Sequence, residues 1–421
     1  LEELLHDLKK FEDLTPAVVI DITQSTIEAY TKGVGLITLS DKGTQFGSSD
    51  LLVGSESVSP LEKGDLIYVR KNKIGFWLLS QLPAAEGAVV SIDSDTGAIH
   101  ALVGGYNFYR NKFNHVTQAK RQPGSSFKPF IYSAALERGF TPGTIIDDAP
   151  FEIDESQTGF QPWDPQNYGG EFAGPINLRY ALAKSKNLVA IRILQAITPN
   201  YARSFLSRFG FNPKHHPPYL TMALGAGSTT PLEMARGYAV FANGGYLVEP
   251  HFITRIEDIE GNPLFKRKSR KIKTTSDRVI NARNVFTMNS LLQGVIQNGT
   301  GIRAKSLGRK DLAGKTGTTN DNIDAWFAGF QRRIVAITWV GKDQPEPLGD
   351  KETGSKAALP IWIDYMKVAL KEIPKERPPT PPEGIRSVLI DPTTGLPTDN
   401  DGVLEYFYNE NAPSKSSGIL F

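Results

Sequence analysis

The ten residues RQPGSSFKPF, numbers 121–130, place two serines behind a Pro-Gly pair and a lysine ahead of a second proline. The stretch reads as the start of a helix. On a helix, residues i and i+3 lie one above the other, so the Ser125 hydroxyl and the Lys128 amine share a face. Ser126 is two residues from Lys128 and points elsewhere. A serine hydroxyl is a weak nucleophile at its own pKa and needs a base within hydrogen-bond reach, and a helix N-terminus favours the negative charge that develops. Lys128 can be that base only if it is neutral near pH 7, which requires burial and a second cation nearby.

A lone Ser-x-x-Lys match is weak, since about one chance hit is expected in a chain of this length. Two further pieces raise its weight. "KSKN" supplies Ser185-Lys186-Asn187, and "GKTGTT" supplies Lys315-Thr316-Gly317-Thr318. Ser125 is the only serine in the chain with lysine three residues on. Ser-x-x-Lys, Ser-x-Asn and Lys-Thr-Gly in that order form a specific signature of penicillin-reactive serine enzymes.

At 421 residues the chain is long enough for two or three domains. Its 47 basic and 45 acidic residues leave a net charge of +2, which does not suggest a nucleic-acid or membrane surface. The dense basic run FKRKSRKIKTT, 265–275, reads as a solvated hairpin or loop. With no cysteine, thiol catalysis, disulfides and zinc–thiolate sites are excluded. The six histidines include no HExxH pair, so neither metal nor cofactor is assigned. No stretch approaches the roughly 18 apolar residues of a membrane span. The N-terminal LEELLHDLKKFED is charged and amphipathic, so the expectation is a cytoplasmic protein or a soluble piece of something longer.

Short segments rich in β-branched and aromatic residues, AVVIDI, TIEAYT, VGLITL, DLIYVRK and FWLLSQL, predict a small all-β barrel or sandwich over 16–85. Residues 1–15 read as a linker helix. A second domain, 86–373, opens with an antiparallel hairpin over 87–105. Helices are predicted from Ser125 to about Arg138, around 176–197, over TTPLEMARGYAVFANGG and at 284–296. In the third of these, Thr230 and Glu233 form a capping box, Pro231 takes the first helical position and Gly244 follows the end. AGKTGTT, DAWFAGF and RRIVAITWVG read as strands, giving an α+β domain whose sheet joins distant parts of the chain. Residues 374–421 are a proline-rich linker and a tail of two short strands.

The chain resembles the transpeptidase region of class A penicillin-binding proteins of the 1a type. The likeness rests on the three motifs and on longer stretches such as FNHVTQAKRQPGSSFKPFIYSAALERG, WDPQNYGGEFAGPINLRYALAKSKN and GKTGTTNDNIDAWFAGF. It implies a penicilloyl-serine transferase fold, an antiparallel sheet flanked by helices, beside an OB-like β domain. His115 stands where the family pattern leads one to expect arginine. An intact family member would also carry a glycosyltransferase domain and a membrane anchor, which the residues of this sequence are not expected to supply.

The implied substrate is the D-Ala-D-Ala end of a peptidoglycan stem peptide, with a stem amine as acceptor. β-Lactams are implied as mimics that trap Ser125, and the implied location is the periplasmic face of the inner membrane. Cell-wall synthesis proteins are the implied partners of the OB-like domain. On this reading Lys315 is the second cation and attracts the substrate carboxylate, which Thr316 and Thr318 also meet with hydroxyls. Gly317 removes a side chain so that the edge strand can lie against substrate. Ser185 relays a proton between Lys128 and the leaving amine, and Asn187 holds the substrate amide. The backbone N–H groups of Ser125 and Thr318 form an oxyanion hole. Taken alone, Asn187 reads as a helix C-cap, and Trp163 and Tyr168 as packing or loop anchors. Two rivals remain. A β-lactamase commonly needs a Glu-x-x-Leu-Asn element, and the chain has no Leu-Asn pair. A non-catalytic penicillin-binding sensor or scaffold is separated from an enzyme by turnover of a stem substrate.

Overall fold

The computed structural model describes residues 1–3, 5–23, 25–40, 61–150, 163–267 and 277–414. It divides into two compact units: Leu1–Ala84 with Asn107–Lys112, and Ala85–Tyr106 with Phe113–Phe421.

The first unit is built on five antiparallel strands, Thr15–Ile22, Thr26–Thr31, Gly35–Ser40, Leu66–Lys71 and Trp77–Ser80, with spatial order third, second, first, fourth, fifth. Period-two patterning decides their faces. In the second strand Ile27 and Ala29 are buried while Glu28 between them is exposed, and they join Val19, Leu39 and Val69 in one core. Among the described residues of 1–15 the expected linker helix does not form. Leu5 N–H bonds Leu1 O at 3.1 Å but His6 N–H reaches only Glu3 O, and Phe11 and Leu14 pair with each other as a bridge into the first strand. So short a segment cannot support a helix without a packed face.

The second unit centres on a five-stranded antiparallel sheet in the order Ala313–Thr318, Ala325–Gln331, Ile334–Lys342, Ala85–Asp93, Ile99–Val103. The hairpin from the start of the unit therefore pairs with the last of the late strands, Thr338 opposite Val89. Ala313–Thr318 stands at the sheet edge. Against the sheet packs a helical layer whose central helix, Lys128–Leu136, is buried at every residue. A helix buried on every face belongs in a core. Phe130 makes edge-on contacts with Phe209 at 4.9 Å and Phe211 at 4.8 Å, which fixes the helix in the layer.

The capping box at Pro231–Ala242 is complete: Glu233 N–H bonds Thr230 Oγ1 at 3.1 Å and Thr230 N–H bonds Glu233 Oε2 at 2.8 Å. The long helix Ala282–Asn298 runs slightly beyond the predicted span at both ends. The helix predicted over 176–197 is two helices, Leu178–Ala183 and Asn187–Ile197, with a break at Ser185. The tail strands Ile385–Ile390 and Val403–Tyr408 pair with each other, and Glu405 is tied to Arg179 by an ion pair. Most of the basic run at 265–275 lies outside the described residues; Phe265 and Lys266 end a small exposed hairpin. Among the described residues no helix is long and apolar enough to cross a membrane.

Candidate active site

Three pieces of backbone meet at one cavity. Ser125 sits in a 3-10 turn, Gly124–Phe127, and the α-helix begins only at Lys128. In a 3-10 turn residues i and i+3 eclipse, so the shared face of Ser125 and Lys128 is kept. The turn is pressed against the sheet edge. A Cβ on Gly124, whose φ is +54°, would come within 2.5 Å of Thr318 O and 3.2 Å of Thr318 N. Only glycine fits both that contact and that backbone conformation. Ser125 lines the cavity and its Oγ makes no hydrogen bond among the described residues. Ser126 is buried and its hydroxyl donates to Pro123 O at 2.6 Å.

The second piece is the helix break. Lys186 N–H bonds Ala181 O at 2.9 Å and Ser185 N–H bonds Leu182 O at 3.1 Å, the paired bonds of a Schellman motif. Ser185 occupies the left-handed position at φ +60° that glycine usually fills. A non-glycine residue there is strained, and the strain sets the hydroxyl between two lysines. Lys315 Nζ donates to Ser185 Oγ at 2.8 Å, and Lys128 Nζ approaches the same oxygen at 3.5 Å. Asn187 is the first residue of the next helix and not a C-cap.

Lys128 is wholly buried. Its Nζ donates to Ser185 O and Asn187 Oδ1, both at 2.7 Å, and to Lys186 O at 3.1 Å. Three acceptors suit an ammonium, yet burial first, and then the Lys315 charge, hold the Lys128 pKa well below that of an ordinary lysine, with Asp148 opposing. Burial alone brings Lys315 to about 7. Two ammonium groups repel each other in so dry a site, so both burial and this mutual repulsion favour the neutral amine at Lys128. Neutral Lys128 keeps two N–H donors for the 2.7 Å contacts and has a lone pair left.

The third piece is the edge strand. Thr316 and Thr318 line the cavity, joined by Thr300, whose hydroxyl shares a 2.6 Å hydrogen bond with Thr316 Oγ1. The Thr318 hydroxyl accepts from Gly354 N–H at 3.1 Å and keeps its own proton to donate. Two expectations change here. Gly317 is bare on the side of the Ser125 turn: a Cβ would lie 2.5 Å from Pro123 O and 2.9 Å from Ser126 Cβ. Its missing side chain lets the edge strand meet that turn; it does not clear room in the cavity. Lys315 is fully buried and does not line the cavity, so its charge acts from behind Ser185.

The cavity measures about 990 Å³, with Trp163, Gln166, Tyr168, Leu224 and Asn320 on its walls. Trp163 also packs against the main core, while Tyr168 is largely exposed. Sequence reasoning missed Thr300 and a buried polar group formed by Asp148 and Asn167. Asp148 is ion-paired to Lys186 at 2.8 Å and accepts from Asn167 Nδ2 at 2.7 Å. An acidic residue ending a short strand carries no pattern that announces burial. His115, the departure from the family pattern, is buried, stacks on Trp339 at 5.0 Å and meets Asp343 Oδ1 at 2.8 Å.

Comparison with known proteins gives the family of both parts of the chain. Residues 87–366 match the family described as penicillin binding protein transpeptidase domain, and residues 1–85 match the penicillin-binding protein OB-like domain. The chain is 42% identical over 375 residues to penicillin-binding protein 1A of Neisseria lactamica, covering 89% of this chain and 47% of the relative. It is 40% identical to the Neisseria gonorrhoeae protein of the same name, covering 96% of this chain and 51% of that one. The chain thus spans about half the length of these relatives. Penicillin-binding protein 1A from Haemophilus influenzae has a similar structure, with TM-score 0.88 and 37% identity over 99% of this chain and 66% of that one. The PonA1 protein from Mycobacterium tuberculosis in complex with penicillin V matches with TM-score 0.60 and 30% identity over 72% of this chain and 82% of that chain.

Proposed function

Because this chain belongs to the penicillin-binding protein transpeptidase family, we propose that it is a D-alanyl-D-alanine transpeptidase acting through an acyl-enzyme on Ser125. The observation that carries the reading is the pair of buried lysines flanking Ser185 beside a cavity that exposes Ser125. Ser125 Oγ attacks the carbonyl of the penultimate D-alanine of a stem peptide and gives its proton to the Lys128 lone pair. The backbone N–H groups of Ser125 and Thr318 stabilise the oxyanion, a term of about 3–4 kcal/mol per donor in comparable sites. As the tetrahedral intermediate collapses, the proton passes from Lys128 through the Ser185 hydroxyl to the leaving amine, and D-alanine departs. A stem amine then attacks the Ser125 ester, its proton returns along the same route, and a new amide bond is released with the serine restored.

Thr316 and Thr318 present hydroxyls to the substrate carboxylate, with Lys315 supplying positive charge from behind Ser185. Asn187 holds the donor amide. The open edge of Ala313–Thr318 is suited to pairing with an extended peptide backbone. A β-lactam enters as a dipeptide mimic and acylates Ser125, and its tethered leaving group blocks the acceptor. The chemistry belongs to the periplasm, where peptidoglycan stems are, and the OB-like unit is the surface for cell-wall synthesis partners. Intact-mass measurement after incubation with a penicillin, followed by mapping of the modified peptide, tests the nucleophile; cross-linking of a D-Ala-D-Ala stem peptide to an added amine tests the reaction. One adduct on Ser125 together with the amide product is expected. Modification elsewhere, or an adduct without turnover of the stem substrate, would refute the reading, the latter in favour of a binding sensor.

A further inference from the structure

The strand Ile145–Asp148 ends in a carboxylate that is entirely buried. Asp148 takes three donors: Lys186 Nζ at 2.8 Å, Asn167 Nδ2 at 2.7 Å and Ala173 N–H at 2.9 Å. From there a hydrogen-bonded chain runs without a gap to the base. Asn167 Oδ1 accepts from Asn187 N–H at 2.8 Å, and Asn187 Oδ1 accepts from Lys128 Nζ at 2.7 Å. Asn187 Nδ2 donates to Gln166 O at 2.7 Å, which closes the amide's orientation. A carboxylate taken fully out of water is tolerated only with a partner charge and satisfied lone pairs. Lys186 provides that charge from a side chain that is itself only 16% exposed.

We propose that Asp148 is a positioning residue for acyl transfer, acting through Asn167 and Asn187 to fix the Lys128 amine, and that Lys186 is its counter-charge. The middle residue of the Ser185-Lys186-Asn187 motif is then part of the base's environment and not a spacer. The inference rests on the proposed reading of Ser125 and Lys128 as nucleophile and base.

The charge balance around Lys128 follows. Lys315 lowers its proton affinity and Asp148 raises it. Lys186 offsets Asp148 at 2.8 Å. Tyr132, on the Lys128 helix, is wholly buried and stays neutral, its hydroxyl pushed up by burial and by Asp148. Asp147 precedes Asp148 on the same strand with its side chain exposed. Arg192, on the helix after Asn187, donates to Ala149 O at 2.9 Å. Glu171 contributes its backbone carbonyl, which accepts from both Asn167 Nδ2 and Lys186 Nζ. Lys184 is turned away onto Asn298 O at 3.0 Å.

The test is the pH dependence of the second-order rate of acylation by a chromogenic cephalosporin, whose acid limb reports the base in the free enzyme. It compares the full chain with D148N, K186Q and D148N/K186Q. Removing the negative charge moves the acid limb of D148N to lower pH, and removing the positive charge moves that of K186Q to higher pH, each by about one unit, the low end of a nearby charge's effect. The double variant returns to within a few tenths of the parent, because both charges leave together. A packing role alone would change the plateau rate and leave every limb in place. If D148N fails to fold, judged by circular dichroism, the upward shift in K186Q and its cancellation in the double variant still decide. Limbs that coincide in all folded variants, or single variants that move in the same direction, overturn the inference while leaving Ser125 as nucleophile. A parent chain that is not acylated at Ser125 overturns both.

Discussion

Replacing Lys315 with methionine should make the protein more stable and less active, and the pH dependence of the stability gain identifies its cause. Lys315 is fully buried, and its ammonium has two partners, Ser185 Oγ at 2.8 Å and Thr316 O at 3.0 Å. Burial lowers its pKa from 10.5 to about 7. Between those values the unfolded chain binds the proton and the folded chain does not, so stability rises with pH across the window from 7 to 10.5 and is lost as pH falls toward 7. At 1.36 kcal/mol per unit, the gap of about 3.5 units corresponds to roughly 5 kcal/mol, of which about 4 separates pH 7 from the alkaline limit. Methionine carries no such penalty but loses two hydrogen bonds, about 1 kcal/mol each. K315M should therefore exceed the parent by about 2 kcal/mol at pH 7 and fall behind it above pH 10. Urea midpoints of both proteins at pH 7 and pH 10, at fixed ionic strength, measure the difference. The acid limb of β-lactam acylation should move to higher pH in the same variant, because Lys128 is relieved of a neighbouring positive charge. A parent that is more stable than K315M at pH 7, with a gap that does not change by pH 10, would refute the buried-charge reasoning.

Ser185→Ala and Ser185→Gly should both acylate slowly for want of the relay hydroxyl. S185G should be the more stable by up to about 1 kcal/mol in thermal unfolding, because alanine retains the left-handed strain; equal stability would mean that the break is not strained. Gly317→Ala should cut acylation by about 10²-fold with the motif lysines intact, since a Cβ 2.5 Å from Pro123 O must displace the Ser125 turn. A G317A enzyme acylating within a few-fold of the parent would show that the turn can move without harm. Lys128→Arg should lose about 10²- to 10⁴-fold in acylation rate, as a guanidinium does not release its proton; near-parent acylation would assign Lys128 to charge or position alone and require another base.

What could be read from sequence and what could not divide along a physical line. The five strands of the first unit and the sheet of the second were legible because each is a short apolar run with turn residues at its ends, and the cap at Thr230–Glu233 because it is chemistry local to four residues. The requirement that Lys128 be buried beside a second cation was also legible, as a demand of the reaction and not as a pattern. The break at Ser185 was not, because the residue that normally marks a Schellman ending is glycine, and serine there gives no signal. Nor could the motif say which way Gly317 faces: Lys-Thr-Gly fixes residue types along an edge strand, while the side on which a Cβ would clash depends on where a turn nearly two hundred positions earlier comes to rest. Asp148 and Asn167 lie in separate stretches with no spacing to connect them, and only the fold makes them one hydrogen-bonded group with Asn187. The three motifs thus name the groups that react. The residues that hold those groups to their protonation states are set by tertiary contacts, in this chain most directly by the burial of two lysines around one serine hydroxyl.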